Sequence, residues 1–334
     1  MKALTLSLAE DKPQLLITEK ETPTPKGGEV LIKVAAAALN RRDYWISVGM
    51  YPGLRSGAIL GSDGSGVVVG LGAGVDDYWL DKSVIINPNI GWGDNPLVQD
   101  KHYTILGMPN DGTLAEYLTV PVDRLVQVPG HLTIEQAAAY PLAGLTAYRA
   151  LFKKAQIQKG HKLLVTGIGG GVSQMVLQFA VAAGAEVYVT SSSPAKIDKA
   201  IELGAIQGFN YREEDWNKAA AKATGGFNAV VDSVGGDNVD RCLKTLAPGG
   251  RYVTYGATQG QPKKLDVARL FWNQLQILGS TMGNDQEFEE MWKLIADHKL
   301  EPAIDSMRLF ERALTAVEEM GKGSQMGKLL LRFD

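Results

Sequence analysis

Four glycines fall within five residues, Gly167, Gly169, Gly170 and Gly171, and a short apolar run, Leu163–Val165, precedes them. Crowded glycines let backbone N–H groups approach a pyrophosphate closely, and a helix N-terminus behind them adds favourable charge. Val172, Met175, Val176 and Phe179 follow at i, i+3, i+4 and i+7, the spacing of one buried helical face. Gly184 stops that helix, and Glu186–Thr190 reads as a second strand. Strand, glycine turn, helix and strand make a βαβ unit with a right-handed crossover. A strict G-x-G-x-x-G is not met, because Val172 stands at the third glycine position. The chemistry this pattern suits is dinucleotide binding; the bland alternative is a glycine turn that only packs helix on strand.

The end of the second strand bears on which dinucleotide. NAD sites usually carry an acidic residue about 20 residues beyond the glycines, bonded to the ribose 2′-hydroxyl. Here Thr190, Ser191, Ser192 and Ser193 are followed by Lys196, with no carboxylate before Asp198. Hydroxyls and an ammonium suit a 2′-phosphate that a carboxylate would repel, so NADPH is favoured over NADH. Ser193-Pro194 also suits the start of the next helix, with proline in its first turn.

Lys and Arg number 34 against 37 Asp and Glu, a net charge of −3, so no basic surplus points to nucleic acid as the main partner. One cysteine, Cys242, excludes an intrachain disulfide and any all-cysteine zinc site. The opening MKALTLSLAEDKP lacks a signal peptide's sustained apolar core, and no membrane-length apolar segment follows, so a cytoplasmic protein is expected.

The elements around the glycine turn have two textures. Leu4–Leu8, Gln14–Thr18, Glu29–Val34, Gly66–Val69 and Ser83–Ile86 are short strand candidates divided by Gly and Pro, the first two joined through Asp11-Lys12-Pro13. They fit a barrel-like domain. Asn87–Gly112 reads as a loop, and Leu114–Val120 and Arg124–Val128 as returning strands. Thr133-Ile134-Glu135-Gln136 has capping-box spacing and opens a helical passage to about Lys154, interrupted at Pro141 and Gly144. Beyond the glycine unit, helices at Lys196–Leu203 and Val239–Leu246 alternate with strands at Ala229–Ser233, Tyr252–Tyr255 and Leu275–Leu278. That alternation is the pattern of a doubly wound parallel sheet. Asn284 with Glu287 caps a helix whose apolar stripe is Phe288, Met291, Trp292 and Ile295, and Lys328–Phe333 is a terminal strand able to complete the first domain. The expected division is residues 1–125 with 284–334, and residues 126–283.

Gly61-Ser62-Asp63-Gly64-Ser65-Gly66, Asp111-Gly112-Thr113-Leu114-Ala115-Glu116-Tyr117, Gly144-Leu145-Thr146-Ala147-Tyr148 and the glycine stretch together resemble the medium-chain dehydrogenase/reductase superfamily. The resemblance covers nearly the whole chain and implies an α/β fold: a Rossmann doubly wound parallel sheet plus a GroES-like β-rich barrel domain. Its zinc alcohol dehydrogenases use a Cys, a Gly-His-Glu segment and a further Cys or acidic ligand. This chain has Asn40, Ser62-Asp63 and Leu142 there, and no cysteine in Asn87–Gly112, where relatives carry a structural zinc. Amide, hydroxyl and alkyl groups do not replace thiolate and imidazole, so no metal is expected.

The chain is more similar to the zinc-free quinone oxidoreductase branch, through Leu39–Trp45, Gly49-Met50-Tyr51-Pro52 and Gly167–Ser173, in which Ser173 replaces the branch's last glycine. The resemblance implies cofactor contacts from Gly170, Gly171 and Val172 at the turn and from Ser191, Ser192, Lys196 and Tyr211 at the 2′-phosphate. It implies further contacts from Ser233, Val234, Gly256 and Ala257 in the later loops. Asn40 and Thr146 would hold the nicotinamide end, and Tyr51 would donate toward the oxygen of a quinone or α,β-unsaturated carbonyl. Tyr51 as an aromatic cleft wall, Asn40 as a turn cap and Asp63 as a structural acid are the plainer alternatives. A homodimer through the dinucleotide domain is compatible with the resemblance. Two other functions stay open: an alcohol or aldehyde dehydrogenase, and an NADPH-binding protein without turnover.

Overall fold

Val30, Ile32, Val34 and Ala36 alternate along Glu29–Ala38 and are all buried, the period-2 pattern of a strand with one face on a core. In the computed structural model, which describes residues 1–9 and 12–333, this strand is the hub of a β-rich unit. It pairs antiparallel with Asp63–Leu71, Tyr117–Pro121 and Lys328–Arg332. Ser83–Ile86 and Leu125–Gln127 extend the sheet beyond Asp63–Leu71, and Ile304–Leu309 extends it beyond Lys328–Arg332. The last strand therefore completes the first domain, as its apolar pattern suggests. Asp11, expected in the first connection, lies outside the described residues.

The chain divides into two compact units, Met1–Ala143 with Asn284–Asp334, and Gly144–Gly283. Residues 126–143, expected with the dinucleotide domain, pack on the β-rich unit instead. Ala139 lies in one apolar cluster with Ala38 and Leu330, and Tyr140 meets Trp292 edge to face. The helical passage breaks before Pro141, after the short helix Ile134–Ala137, whereas Gly144 does not interrupt it. Pro141 starts a helix that runs to Tyr148, where its missing N–H costs nothing. The Asn87–Gly112 loop contains three short strands, Asn89–Ile90, Thr104–Leu106 and Pro109–Asn110, too brief for periodicity to reveal.

The second unit is a six-stranded parallel sheet. Its order is Gln207–Phe209, Glu186–Thr190, Lys162–Val165, Phe227–Asp232, Leu246–Thr254, Gln276–Gly279. This is the doubly wound Rossmann order, with the chain reversing direction across the sheet beside Lys162–Val165. The helix Gly171–Ala182 buries Met175, Val176 and Phe179 as their spacing predicts. The helix Trp216–Thr224 was not legible in the sequence; its only large apolar anchor is the buried Trp216, with the small Ala220 beside it. Among the described residues no helix is long and apolar enough to cross a membrane.

Candidate cofactor and substrate sites

The residues expected to meet the cofactor in the second unit gather at the carboxyl ends of its parallel strands, where a ligand crevice belongs in an open α/β sheet. Gly167 takes φ +60°, and its N–H donates to Thr190 Oγ1 at 3.2 Å. The helix starts at Gly171, and Gln174 N donates to Gly170 O at 3.0 Å. The N–H groups of Gly171 and Val172 precede that first ladder bond and are the orphan donors of the helix start. Ser173, which stands where the similar branch has glycine, ties the turn: its hydroxyl lies 2.8 Å from both Gly167 O and Gly170 O.

At the next strand end the Tyr211 hydroxyl donates to Ser192 Oγ at 3.0 Å, so those two residues share one edge. Ser191 is buried, and its Oγ accepts from Ser193 N at 3.1 Å. Lys196 is half-buried in the first turn of the helix Pro194–Glu202. Pro194 takes the N1 position, but Ser193 makes no side-chain cap, so its hydroxyl is not used as a helix terminator.

Ser233, Val234, Gly256 and Ala257 come together because two loops are joined by backbone hydrogen bonds. Thr258 N donates to Ser233 O at 3.2 Å, Gln259 N to Val234 O at 2.8 Å and Gly236 N to Gly260 O at 2.8 Å. Gly235, at φ +67°, makes this possible, since a Cβ there would lie 2.9 Å from Gly260 O. The buried Asp232 carboxylate anchors the loop by accepting from Gly235 N at 2.8 Å and Tyr252 Oη at 2.6 Å, and from Thr166 Oγ1. Thr146, nearly buried, also belongs to this unit, its hydroxyl 3.7 Å from Met282 Sδ. These backbone donors, hydroxyls and the Lys196 ammonium fit a nicotinamide dinucleotide.

The polar site of the β-rich unit is built around one strand end. Ala38 is the register partner of Asp63 on one side and of Leu330 on the other, so residues 40, 63 and 328 meet at that strand end. Lys328, 2% exposed, donates to Asn40 Oδ1 at 2.7 Å and to Asp63 Oδ2 at 2.8 Å. Asn40 Nδ2 donates to Asp63 Oδ2 at 2.9 Å, and Leu142 N donates to Asp63 Oδ1 at 2.5 Å. The Asn40 side chain is thus engaged inward. The helix Arg41–Ser47 is closed instead by Asp43, whose carboxylate accepts from Asn40 N at 2.8 Å. Burial pushes the Asp43 carboxyl up, against the opposing pull of Arg42.

This donor set does not fit zinc. Between Asn40 and Asp63 stands an ammonium, a charge that repels a divalent cation, and Ser62 Oγ is taken by Arg42 and by Leu106 O at 2.7 Å. Among the described residues no three His, Cys, Asp or Glu side chains converge as a metal site. No sequence motif marks Lys328, which opens the apolar terminal strand Lys328–Arg332.

Tyr51 is half-buried against the β-rich core. A turn after the helix brings it back: Met50 N donates to Trp45 O at 2.9 Å, and Gly49 takes φ +76°. Its hydroxyl accepts from Arg42 Nε at 3.2 Å, and the guanidinium carbon lies 4.9 Å from the ring centroid.

Comparison with known proteins bears on both sites. Residues 26–130 match the alcohol dehydrogenase GroES-like domain family, and residues 171–297 match the zinc-binding dehydrogenase family. A zinc-type alcohol dehydrogenase-like protein YogA of Leptosphaeria maculans is 36% identical, over 95% of this chain and 94% of that protein. An acryloyl-coenzyme A reductase of Sulfurisphaera tokodaii is 31% identical, over 94% and 95%. A crystal structure described as an NAD-dependent alcohol dehydrogenase is 33% identical with a TM-score of 0.93, over 99% of both chains.

Proposed function

Since this chain belongs to the medium-chain dehydrogenase/reductase superfamily, we propose that it is an NADPH-dependent, zinc-independent reductase of quinones or α,β-unsaturated carbonyls. The observation that carries this reading is the buried Asn40–Asp63–Lys328 cluster, whose ammonium takes the place of a metal-ligand set. Without a Lewis acid, reduction is best suited to conjugated acceptors, where negative charge spreads over an enolate that a neutral donor can stabilise. Bound NADPH supplies the hydride. The chain's residues bind and orient. Gly170, Gly171 and Val172 offer the turn to the pyrophosphate, and Ser191, Ser192, Lys196 and Tyr211 meet the 2′-phosphate. Ser233, Val234, Gly256 and Ala257 line the later loops, and Thr146 holds the nicotinamide end; the Asn40 amide, expected there as well, is engaged by Lys328 and Asp63 in the β-rich unit. Tyr51 donates its hydroxyl proton in a hydrogen bond to the substrate oxygen.

The acryloyl-coenzyme A reductase relative supports the conjugated-carbonyl substrate class. A homodimer is supported by the edge strand Gln276–Gly279 and the neighbouring helix Val267–Trp272, on which Phe271 is 66% and Trp272 81% exposed.

The test is a steady-state comparison of NADPH oxidation with a quinone, an enone and a simple alcohol–ketone pair, before and after exhaustive chelation and metal analysis. Enone and quinone turnover by metal-free protein is expected. One tightly held zinc per chain, or turnover of the alcohol pair alone, would overturn the reading. Tyr51→Phe is expected to lower enone kcat about 10²-fold with NADPH affinity unchanged, and quinone kcat less.

A further inference from the structure

We propose that Arg42 is the positioning residue that makes Tyr51 a directed hydrogen-bond donor, a role that rests on the reading of Tyr51 given above. Arg42 is 8% exposed, and its guanidinium is fixed from three sides. Nη1 donates to Leu106 O at 2.5 Å and to Ser62 Oγ, and Nη2 donates to Met108 O at 3.2 Å. Ser62 is itself held by donating to Leu106 O. With these bonds made, Nε is left to donate to the Tyr51 hydroxyl at 3.2 Å. All of these groups lie in the β-rich unit.

Two consequences follow from hydrogen-bond chemistry. A phenol oxygen that accepts from Arg Nε–H keeps its own O–H for another partner, and among the described residues none takes that proton. The hydroxyl therefore has one remaining donor, whose direction is set by the rigid guanidinium. A charged donor to the oxygen also polarises the O–H bond, so the onward bond is stronger than a bare tyrosine would make. The guanidinium over the ring, 4.9 Å from its centroid, keeps the side chain from swinging away. A fully apolar support would leave Tyr51 a wall; the buried arginine makes it an oriented donor.

The test is a double-mutant cycle on enone reduction with Arg42→Gln, Tyr51→Phe and the pair. Arg42→Gln alone is expected to lower kcat about tenfold with NADPH KM nearly unchanged. In the Tyr51→Phe background it is expected to change kcat less than about twofold, because residues acting as a unit are not additive. Equal losses in both backgrounds would mean that Arg42 only supports the fold, and would overturn the inference while leaving the Tyr51 reading intact. Native enone rates for Tyr51→Phe would instead remove Tyr51 as donor, and this role of Arg42 with it. Should Arg42→Gln fail to fold, the bond is read in Tyr51→Phe protein, labelled with ¹⁵N at arginine. The Arg42 Nε–H resonance is expected to shift and exchange faster than in the native protein; an unmoved resonance overturns the proposal.

Discussion

Replacing Lys328 by methionine tests the cluster at the strand end. The substitution keeps the length and apolar stem of the side chain and deletes only the ammonium. Its partner Asp63 is fully buried and lies 2.8 Å away. At an effective dielectric of about 20, Coulomb's law gives roughly 6 kcal/mol of attraction at that distance. Desolvation of both ions offsets much of this attraction, but deleting one partner leaves the desolvation of the other uncompensated. The expected loss of stability is about 3–5 kcal/mol. Asp63 keeps Leu142 N and Asn40 Nδ2 as donors, which places the value toward the lower end. Adding Asp63→Asn removes the orphaned charge while keeping an acceptor, and is expected to recover roughly half of the loss. Urea unfolding followed by tryptophan emission reports on this unit, which holds Trp45, Trp79, Trp92 and Trp292. A Lys328→Met protein within about 1 kcal/mol of native, the range of a solvated surface pair, would refute the buried ion pair.

Lys196→Ala is expected to weaken NADPH binding by about 1.5–3 kcal/mol, the range for a charge-assisted phosphate contact, and to leave NADH nearly unchanged. Fluorescence titration with both cofactors checks it, and equal affinities in the native protein would count against the 2′-phosphate assignment. For Asp285, burial alone would raise the carboxyl, but hydrogen bonds from Arg124 at 2.8 Å, Asn89 at 3.0 Å and Asn87 at 3.1 Å leave it below the usual carboxylate range. A group depressed in the folded state stabilises it above the unfolded-state value, and that contribution is lost as pH falls through the folded one. Asp285→Asn is therefore expected to destabilise most near neutral pH, with the deficit shrinking on acidification in pH-dependent urea unfolding.

What could be read from the chain alone was local and periodic. The glycine turn, the i, i+3, i+4, i+7 face behind it and the alternation of strands and helices follow from steric and burial rules acting over short spans, and the parallel sheet and its order agree with them. The capping boxes at Thr133–Gln136 and Asn284–Glu287 form as spelled, since a cap needs only residues three apart. Contacts across long sequence separations were decided by the tertiary structure. Within residues 126–143, Ala139 packs with Ala38 and Leu330, so packing, rather than chain neighbourhood, assigns the stretch to the β-rich unit. Lys328 reaches Asp63 across 265 positions because sheet register aligns the ends of strands far apart in the chain, and Arg42 reaches Leu106 across 64 from a helix onto a separate short sheet. A lysine opening an apolar strand has the spelling of a solvated terminus; only the register of that strand against Glu29–Ala38 turns it into a buried cation beside a carboxylate.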